Sequence, residues 1–473
     1  MDNPRTMVVR ELRETLGDAA VSSSSEEILR LMRDESWLSP ILRREIERRT
    51  EEEGEGLGVQ AVVRPRSEED VIALARIAAR NRVPLTPRGA GTSNFGLLTP
   101  EEGGLIVDFR GLTGDPELRD NTVRAPAGTV QGKMERAARS RSRELPVLTT
   151  TYSVATIGGW LCGGHAGIGS SMHGAVWDDL VDEVRVVTVE ENPRTLTLRG
   201  EEVNPLLHTF GAIGICTNIT MRTVASHDWL EAVSFHPTFA QASAFVNEIS
   251  NALRYSVRVA TAQEAALMAG VRQLASVRRH PVDVPRRAGV LMIFDREQTT
   301  EIRKLVATHG GELVEWQEWK VDPRGKPSIA QMVYGHRMLW VKRYLPQAAF
   351  CHIYYDPAEP EATVKLLKER FGDDLLVEMK FIRSKWMLRA LSMSGDSLPA
   401  ALCVVRNGSE PGKVDEVLRF CDANNIKYQN SHTNVIEDNG LFSDIAPIVK
   451  MKSELDPHDL LSRGRLRSAM RRP

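Results

Sequence analysis

P-R-G-A-G-T-S-N-F-G, residues Pro87 to Gly96, sets three glycines, an arginine and two adjacent hydroxyls in ten residues, directly after the apolar run Val83-Pro84-Leu85. Glycine lets successive backbone N–H groups turn to one side and approach a ligand with no Cβ in the way. Such a turn is an anion-binding concavity, and Thr92 and Ser93 add hydroxyl donors. Chemically this is a phosphate cradle. For the loop taken alone, the alternative is a glycine-rich surface turn.

Outward from the cradle, the local signals are regular. Ala61-Val62-Val63 reads as a strand that Pro65 ends, and Ser67 with Asp70 has the spacing of a capping box. Val71, Leu74, Ala75 and Ala78 then share one helical face. Leu85 leads into the cradle, Gly104 to Asp108 is a buried strand, and this β-α-β-β unit closes near Gly114. A second unit begins with a strand over Thr122 to Ala125 and a helix over Val130 to Arg141. Thr149 to Gly174 is dense in glycine and reads as a long loop whose backbone passes close to something. Val181 to Val189 and Arg194 to Leu198 read as a hairpin, Asn204 to Phe210 as a short helix, and Gly214 to Met221 as a strand. Ahead of residue 57 the chain is charged and helical, with a helix near Glu26 capped from Ser22 to Ser25. Glu51 to Gly56 reads as a solvated linker, and no chemistry is legible in this segment.

Four blocks occur in one order: V-V-R-P-R-S-E-E-D-V, P-R-G-A-G-T-S, A-T-I-G-G-W-L-C-G-G and F-G-A-I-G-I-C-T-N-I-T. Over residues 57 to 224 they resemble the FAD-binding domain of the vanillyl-alcohol oxidase family, the PCMH-type flavoprotein fold. The tail L-D-P-H-D-L-L-S-R-G-R-L at 455 to 466 resembles the family's closing segment, which returns to the FAD domain. The resemblance implies an α+β fold: a two-subdomain FAD-binding domain at 57–225, an α/β cap with an antiparallel sheet at 226–440, and a return segment at 441–473, after an N-terminal helical segment at 1–56.

The same resemblance implies roles for individual residues. Pro87, Arg88, Gly89, Ala90, Gly91, Thr92 and Ser93 wrap the FAD pyrophosphate. Thr156, Gly158, Gly159, Cys162, Gly163, His165 and Gly167 line the flavin and ribityl chain, with Tyr152 and Ser153 on the approach. Gly214 and Ile215 contact the nucleotide end through backbone groups. Relatives that tether the flavin use a histidine in the cradle or a cysteine ahead of the T-I-G-G block. This cradle has no histidine, and Tyr152 and Ser153 stand before Thr156, so FAD is expected to be held noncovalently; a tether at His165 or Cys162 stays open. Gly163 to Gly169 is not a Rossmann fingerprint, because it does not follow a strand and lacks the acidic residue about 20 positions on.

Residues 226–440 alternate strand and helix: Gly289 to Phe294 then Glu297 to Ala307, Phe350 to Tyr355 then Glu361 to Phe371, and Ala400 to Val405 then Val414 to Ala423. In the resembled family this region covers the reactive face of the flavin and selects the substrate. His432, in Q-N-S-H-T-N-V-I-E-D-N-G, is the first candidate for the base that oxidation of an alcohol requires, against a structural histidine at a domain junction. Tyr344, Tyr354, Tyr355 and Arg383 are further candidates, against core or surface roles. The branch that oxidises D-2-hydroxy acids carries an H-x-G-D-G-N-x-H type segment that can hold a metal, and this chain has none. His165 and His173 have no nearby carboxylate before Asp178, so no metal site is expected.

Composition narrows the class. The chain has 473 residues and a net charge of -2, which argues against nucleic acid as a partner, and its five cysteines are scattered with no C-x-x-C, which suits a reduced cytoplasmic protein. No long apolar run spans a membrane. Five arginines from Arg463 to Arg472 leave two readings, a solvated tail or peripheral contact with an anionic membrane or acidic partner. The reading is an FAD-dependent oxidoreductase, oxidase or dehydrogenase, that takes a hydride from an alcohol or hydroxy-acid type small substrate and passes electrons to oxygen, a quinone or a protein. The alternatives are a specialised-metabolism flavin oxidase acting on a larger substrate and a catalytically silent flavin-binding scaffold. Oligomeric state is not legible.

Overall fold

The computed structural model describes residues 4–34, 37–278, 284–321 and 328–470. Short runs of β-branched and apolar residues at Val59–Val63, Gly104–Asp108 and Leu85–Arg88 pair in parallel in that spatial order, and Val21–Ser22 adds an antiparallel edge. The helix Glu68–Asn81 makes the crossover. Ser67 Oγ accepts from Asp70 N at 3.1 Å, the Asp70 carboxylate accepts from Ser67 N, and Val71, Leu74, Ala75 and Ala78 are buried against the sheet. The tail closes the other edge. Leu85 N donates to Leu460 O and Ser462 N to Leu85 O, both at 2.8 Å.

The second sheet is antiparallel, in the order Glu117–Arg119, Thr122–Pro126, Ile215–Arg222, Val181–Val187, Thr195–Arg199. Beside it, the glycine-dense stretch departs from the expected long loop. Ile157–Gly163 is a helix capped by Thr156, whose Oγ1 accepts from Gly159 N at 3.2 Å, and Ser170–His173 is a further turn. Glycine is a poor helix former, but a Cβ at Gly158 would lie 2.9 Å from the Ala127 Cβ, so only glycine lets this helix lie so close. The short helix predicted over 204–210 is a 3₁₀ segment at Gly200–Leu206. Beyond it, His208 and Phe210 take φ of 56° and 59°, held because their N–H groups donate to Leu161 O and Cys162 O at the end of the glycine helix.

Among the described residues the cap is one nine-stranded sheet with every pair antiparallel. Its central order runs Trp229–His236, Ala288–Asp295, Val257–Gln263, Glu378–Ile382, Leu398–Val405, Ala349–Tyr354. Helices Thr299–Thr308, Pro360–Phe371 and Lys413–Ala423 follow three of its strands.

The N-terminal segment does more than its sequence suggests. It holds helices Pro4–Leu16, Ser25–Leu31 and Pro40–Glu53 and reaches both FAD domain and cap. Arg88 Nη1 of the cradle donates to Leu31 O at 2.8 Å, and Ser39 Oγ lies 2.7 Å from His432 Nδ1. The basic tail is also largely engaged. Arg463 pairs with Glu102, Arg467 with Asp438, and Arg465 is buried with Nη2 donating to Leu97 O and Thr99 O. Arg471 and Arg472 lie outside the described residues. Among the described residues, no helix is long and apolar enough to cross a membrane.

Candidate functional site

One cavity, about 1550 Å³ with its open mouth, runs between the FAD domain and the cap. Its floor is the loop Pro87 to Ser93, delivered by the end of a parallel strand, and facing that loop is the capped glycine helix. The two meet through glycine. A Cβ at Gly89 would lie 2.3 Å from Thr156 Oγ1 and 3.4 Å from the Gly159 Cα. Gly91 takes φ +80°, which turns the loop's backbone back on itself. Backbone N–H groups, the Thr92 and Ser93 hydroxyls, and the Trp160 indole suit an extended phosphate-bearing ligand. Trp160 Nε1 is buried and has no partner among the described residues, so it is a donor kept for something the protein does not itself supply. These residues fit FAD.

Histidines gather along the middle of the cavity. The rings of His165 and His208 are 4.9 Å apart and those of His165 and His352 6.3 Å apart, with Phe95 between His208 and His352 at 5.6 and 6.4 Å. Burial lowers His165 to about 4 and holds His208 and His352 well below the ordinary histidine range, so all three imidazoles are neutral at pH 7. His336 closes one side, with Nε2 2.7 Å from the cradle's Thr92 O and Nδ1 2.5 Å from Thr150 Oγ1. Cys162 and Cys216 also line the wall, and the hydrogen bond with the Cys162 thiol, together with burial, holds Cys216 well above the ordinary thiol range.

The roof is the cap sheet, which contributes His352, Tyr354, Lys380, Ile382 and Ala400, with Tyr334 beside them. Register places Lys380, Ala400 and Tyr354 in one row across three strands. Lys380 Nζ contacts the Glu378 carboxylate and sits 5.1 Å over the Tyr334 ring. The Tyr354 hydroxyl is buried without a partner among the described residues, and burial raises its pKa, so it keeps its proton.

Of the residues singled out from sequence, Pro87 through Ser93, Thr156, Gly158, Gly159, Cys162, Gly163, His165, Gly214 and Ile215 line this cavity. The Arg88 guanidinium nonetheless reaches away from it, to the carbonyls of Leu31 and Arg33. Tyr152, Ser153 and Gly167 are not on the wall. Tyr152 packs edge-on against Trp319, and a Cβ at Gly167 would meet Leu148 O at 2.1 Å, so its glycine serves chain packing.

Of the five candidate catalytic side chains, Tyr354 lines the cavity, and His432, Tyr344, Tyr355 and Arg383 do not. His432 is buried at the junction with both ring nitrogens engaged, Nδ1 to Ser39 Oγ and Nε2 to Phe350 O at 2.9 Å. Tyr344 Oη donates to Leu267 O at 3.3 Å, and Arg383 Nη2 donates to Ser250 O. Tyr355, just past the strand Ala349–Tyr354, is buried and donates to Glu378 O at 2.9 Å. In their place stand His352, Lys380, Tyr334 and His336. The available signal was charge inside apolar strands: Lys380 in V-E-M-K-F-I and His352 in F-C-H-I-Y are costly to bury without purpose.

Residues 59–197 match the family described as FAD binding domain. The chain is 31% identical over 170 residues to an uncharacterized oxidoreductase, ORF5 in the fasciation locus, of Rhodococcoides fascians, covering 35% of this chain and 38% of that protein. It is 28% identical over 123 residues to the glycolate oxidase subunit GlcD of Bacillus subtilis, covering 26% of each. The matched stretches thus span well under half the length of these curated relatives. A solved alkyldihydroxyacetonephosphate synthase is similar in fold over 98% of this chain and 85% of its own, with a TM-score of 0.71 at 15% identity. Sequence likeness in the cradle-bearing domain and fold likeness along the whole chain lead to one conclusion: residues 59–197 form an FAD binding domain, the chain as a whole has the fold of the alkyldihydroxyacetonephosphate synthase, and its cofactor is FAD.

Proposed function

We propose that this protein is an FAD-dependent oxidoreductase that takes a hydride from an alcohol or hydroxy-acid type small substrate and passes the electrons to oxygen, a quinone or a protein acceptor. The observation that carries the reading is that the phosphate cradle and the polar row of the cap sheet open into the same cavity. Bound FAD supplies the two-electron acceptor. The loop at 87–93 and the Thr156-capped helix bind it, noncovalently because the cradle has no histidine; His165 and Cys162, both on the wall, are where a tether would form. The Tyr354 hydroxyl, protonated and unpartnered, donates to the substrate oxygen, and the neutral His352 imidazole takes the hydroxyl proton. These two side chains are two residues apart on one strand, hence on the same face and about 7 Å apart along it. Names among the relatives, glycolate oxidase and D-2-hydroxyglutarate dehydrogenase, are compatible with such a substrate.

The test is the visible spectrum of the purified protein before and after acid precipitation, then anaerobic mixing with alcohols and hydroxy acids. A yellow protein that releases its flavin and is bleached by one compound is the expected result. Tyr354→Phe and His352→Asn should each slow that bleaching by about 100-fold or more while leaving the flavin bound. A yellow protein that no compound bleaches overturns the substrate class, and a colourless one that takes up no FAD overturns the function.

A further inference from the structure

Behind the cavity roof lies a buried charge cluster whose sum is not zero. Glu378, wholly buried, is engaged by Arg337 and Lys380, and it also accepts from Leu402 N at 2.7 Å and Thr261 Oγ1 at 3.2 Å. Arg337 spends a second nitrogen on Leu402 O. Two cations therefore share one carboxylate, and Lys380 is the member that reaches the cavity. A cation left unmatched where water is excluded is costly unless something of opposite charge arrives. Burial, with Arg337 nearby, loosens Lys380's hold on its proton, and Glu378 opposes both.

The space beside Lys380 is shaped for a guest. Its cross-strand neighbour is Ala400, and the next residue in the row is Tyr354. Strands about 4.8 Å apart put the Lys380 and Tyr354 backbones about 10 Å from each other, and the methyl group between them fills little of that gap. We propose that this notch reads a carboxylate on the substrate, with Lys380 Nζ as its charge partner, while the reacting hydroxyl lies toward Tyr354. One excess positive charge matches the single charge of a carboxylate better than the two of a phosphate monoester. This rests on the oxidoreductase reading for the hydroxyl end and selects acids over plain alcohols within it.

The experiment is anaerobic titration of the FAD-loaded protein, followed by the flavin spectrum, with glycolate, lactate and 2-hydroxyglutarate, with glycolamide and lactamide, and with glycerol 3-phosphate. At least one acid should perturb the spectrum roughly 30-fold more tightly than its amide and than the phosphate ester. Lys380→Met should bring that acid down to the level of the amide, with flavin content and melting temperature unchanged. Equal binding of acid and amide overturns the proposal, as does preference for the phosphate, unweakened acid binding in K380M, or no response to any acid. The acid–amide comparison needs no variant, so it stands even if K380M fails to fold. A protein that reduces with plain alcohols but ignores acids fails this proposal alone, whereas one that holds no flavin fails the cofactor assignment first and this with it.

Discussion

At the scale of single residues, two positions separate cofactor binding from stability. Gly89 must be glycine because its Cβ would press into the hydroxyl that caps the opposing helix, 2.3 Å away. Gly89→Ala should cost about 1–3 kcal/mol of local fit, seen as roughly 10- to 100-fold weaker FAD retention on dilution, with folding otherwise intact. His432 is the opposite case. Both its nitrogens are bonded to protein, so His432→Ala should leave flavin reduction unchanged and lower stability by about 1–3 kcal/mol. Burial sets its pKa at about 4 against an ordinary 6.5. Between those values the unfolded chain binds a proton that the native state does not. The contribution is therefore complete above pH 6.5 and is lost as the pH falls to about 4, up to about 3 kcal/mol. Urea midpoints at pH 7.5, 6 and 4.5 should fall in that order, and less steeply in His432→Gln. A midpoint that does not move across this range would refute the assignment.

Among secondary-structure elements, the one that matters most is the least stable on paper. Ile157–Gly163 has seven residues and three glycines, and its N-terminus depends on Thr156 Oγ1. Thr156→Val should cost about 1 kcal/mol, while Thr156→Ser keeps the cap, so FAD retention should order wild type and Ser above Val. Ser67→Ala removes the cap of a helix that does not line the cavity, so it should lower the melting temperature by a few degrees yet leave FAD affinity as it was. Equal FAD loss in both would mean that the glycine helix has no special place in the site. This element also shows how far sequence reading reached. Its glycines and its nearness to a ligand were legible, its helicity was not, because glycine propensity argues against a helix that only its packing on Ala127 and its end contacts with residues 208–210 sustain.

Across the whole molecule, cap and FAD domain are locked by Arg258. Its Nη2 donates to Leu145 O at 2.8 Å, it pairs with Glu144 at 2.9 Å, and it lies between the rings of Trp229 and Trp319. Arg258→Met leaves Glu144 buried and partly uncompensated and should cost about 3–5 kcal/mol; calorimetry should show it as an earlier transition in which the flavin is released. Removing residues 1–56 should have a comparable effect, because that segment supplies the carbonyls that hold Arg88 and the hydroxyl that holds His432. Retention of FAD and of the melting temperature in that truncation would show the segment to be dispensable.

What the sequence by itself determined is local: the cradle, the Ser67 capping box, the ordered glycine blocks and hence the cofactor. Glycine positions, caps and short apolar runs act over a few residues, so they can be read along the chain. What only the tertiary structure decided is the roof of the site. Lys380, Ala400 and Tyr354 come from strands separated in sequence, and their alignment depends on register, where a slip of one residue would turn each to the other face. The same holds for His432, whose polar surroundings looked like a reaction centre until the N-terminal segment, almost four hundred residues away in the chain, was seen to occupy it.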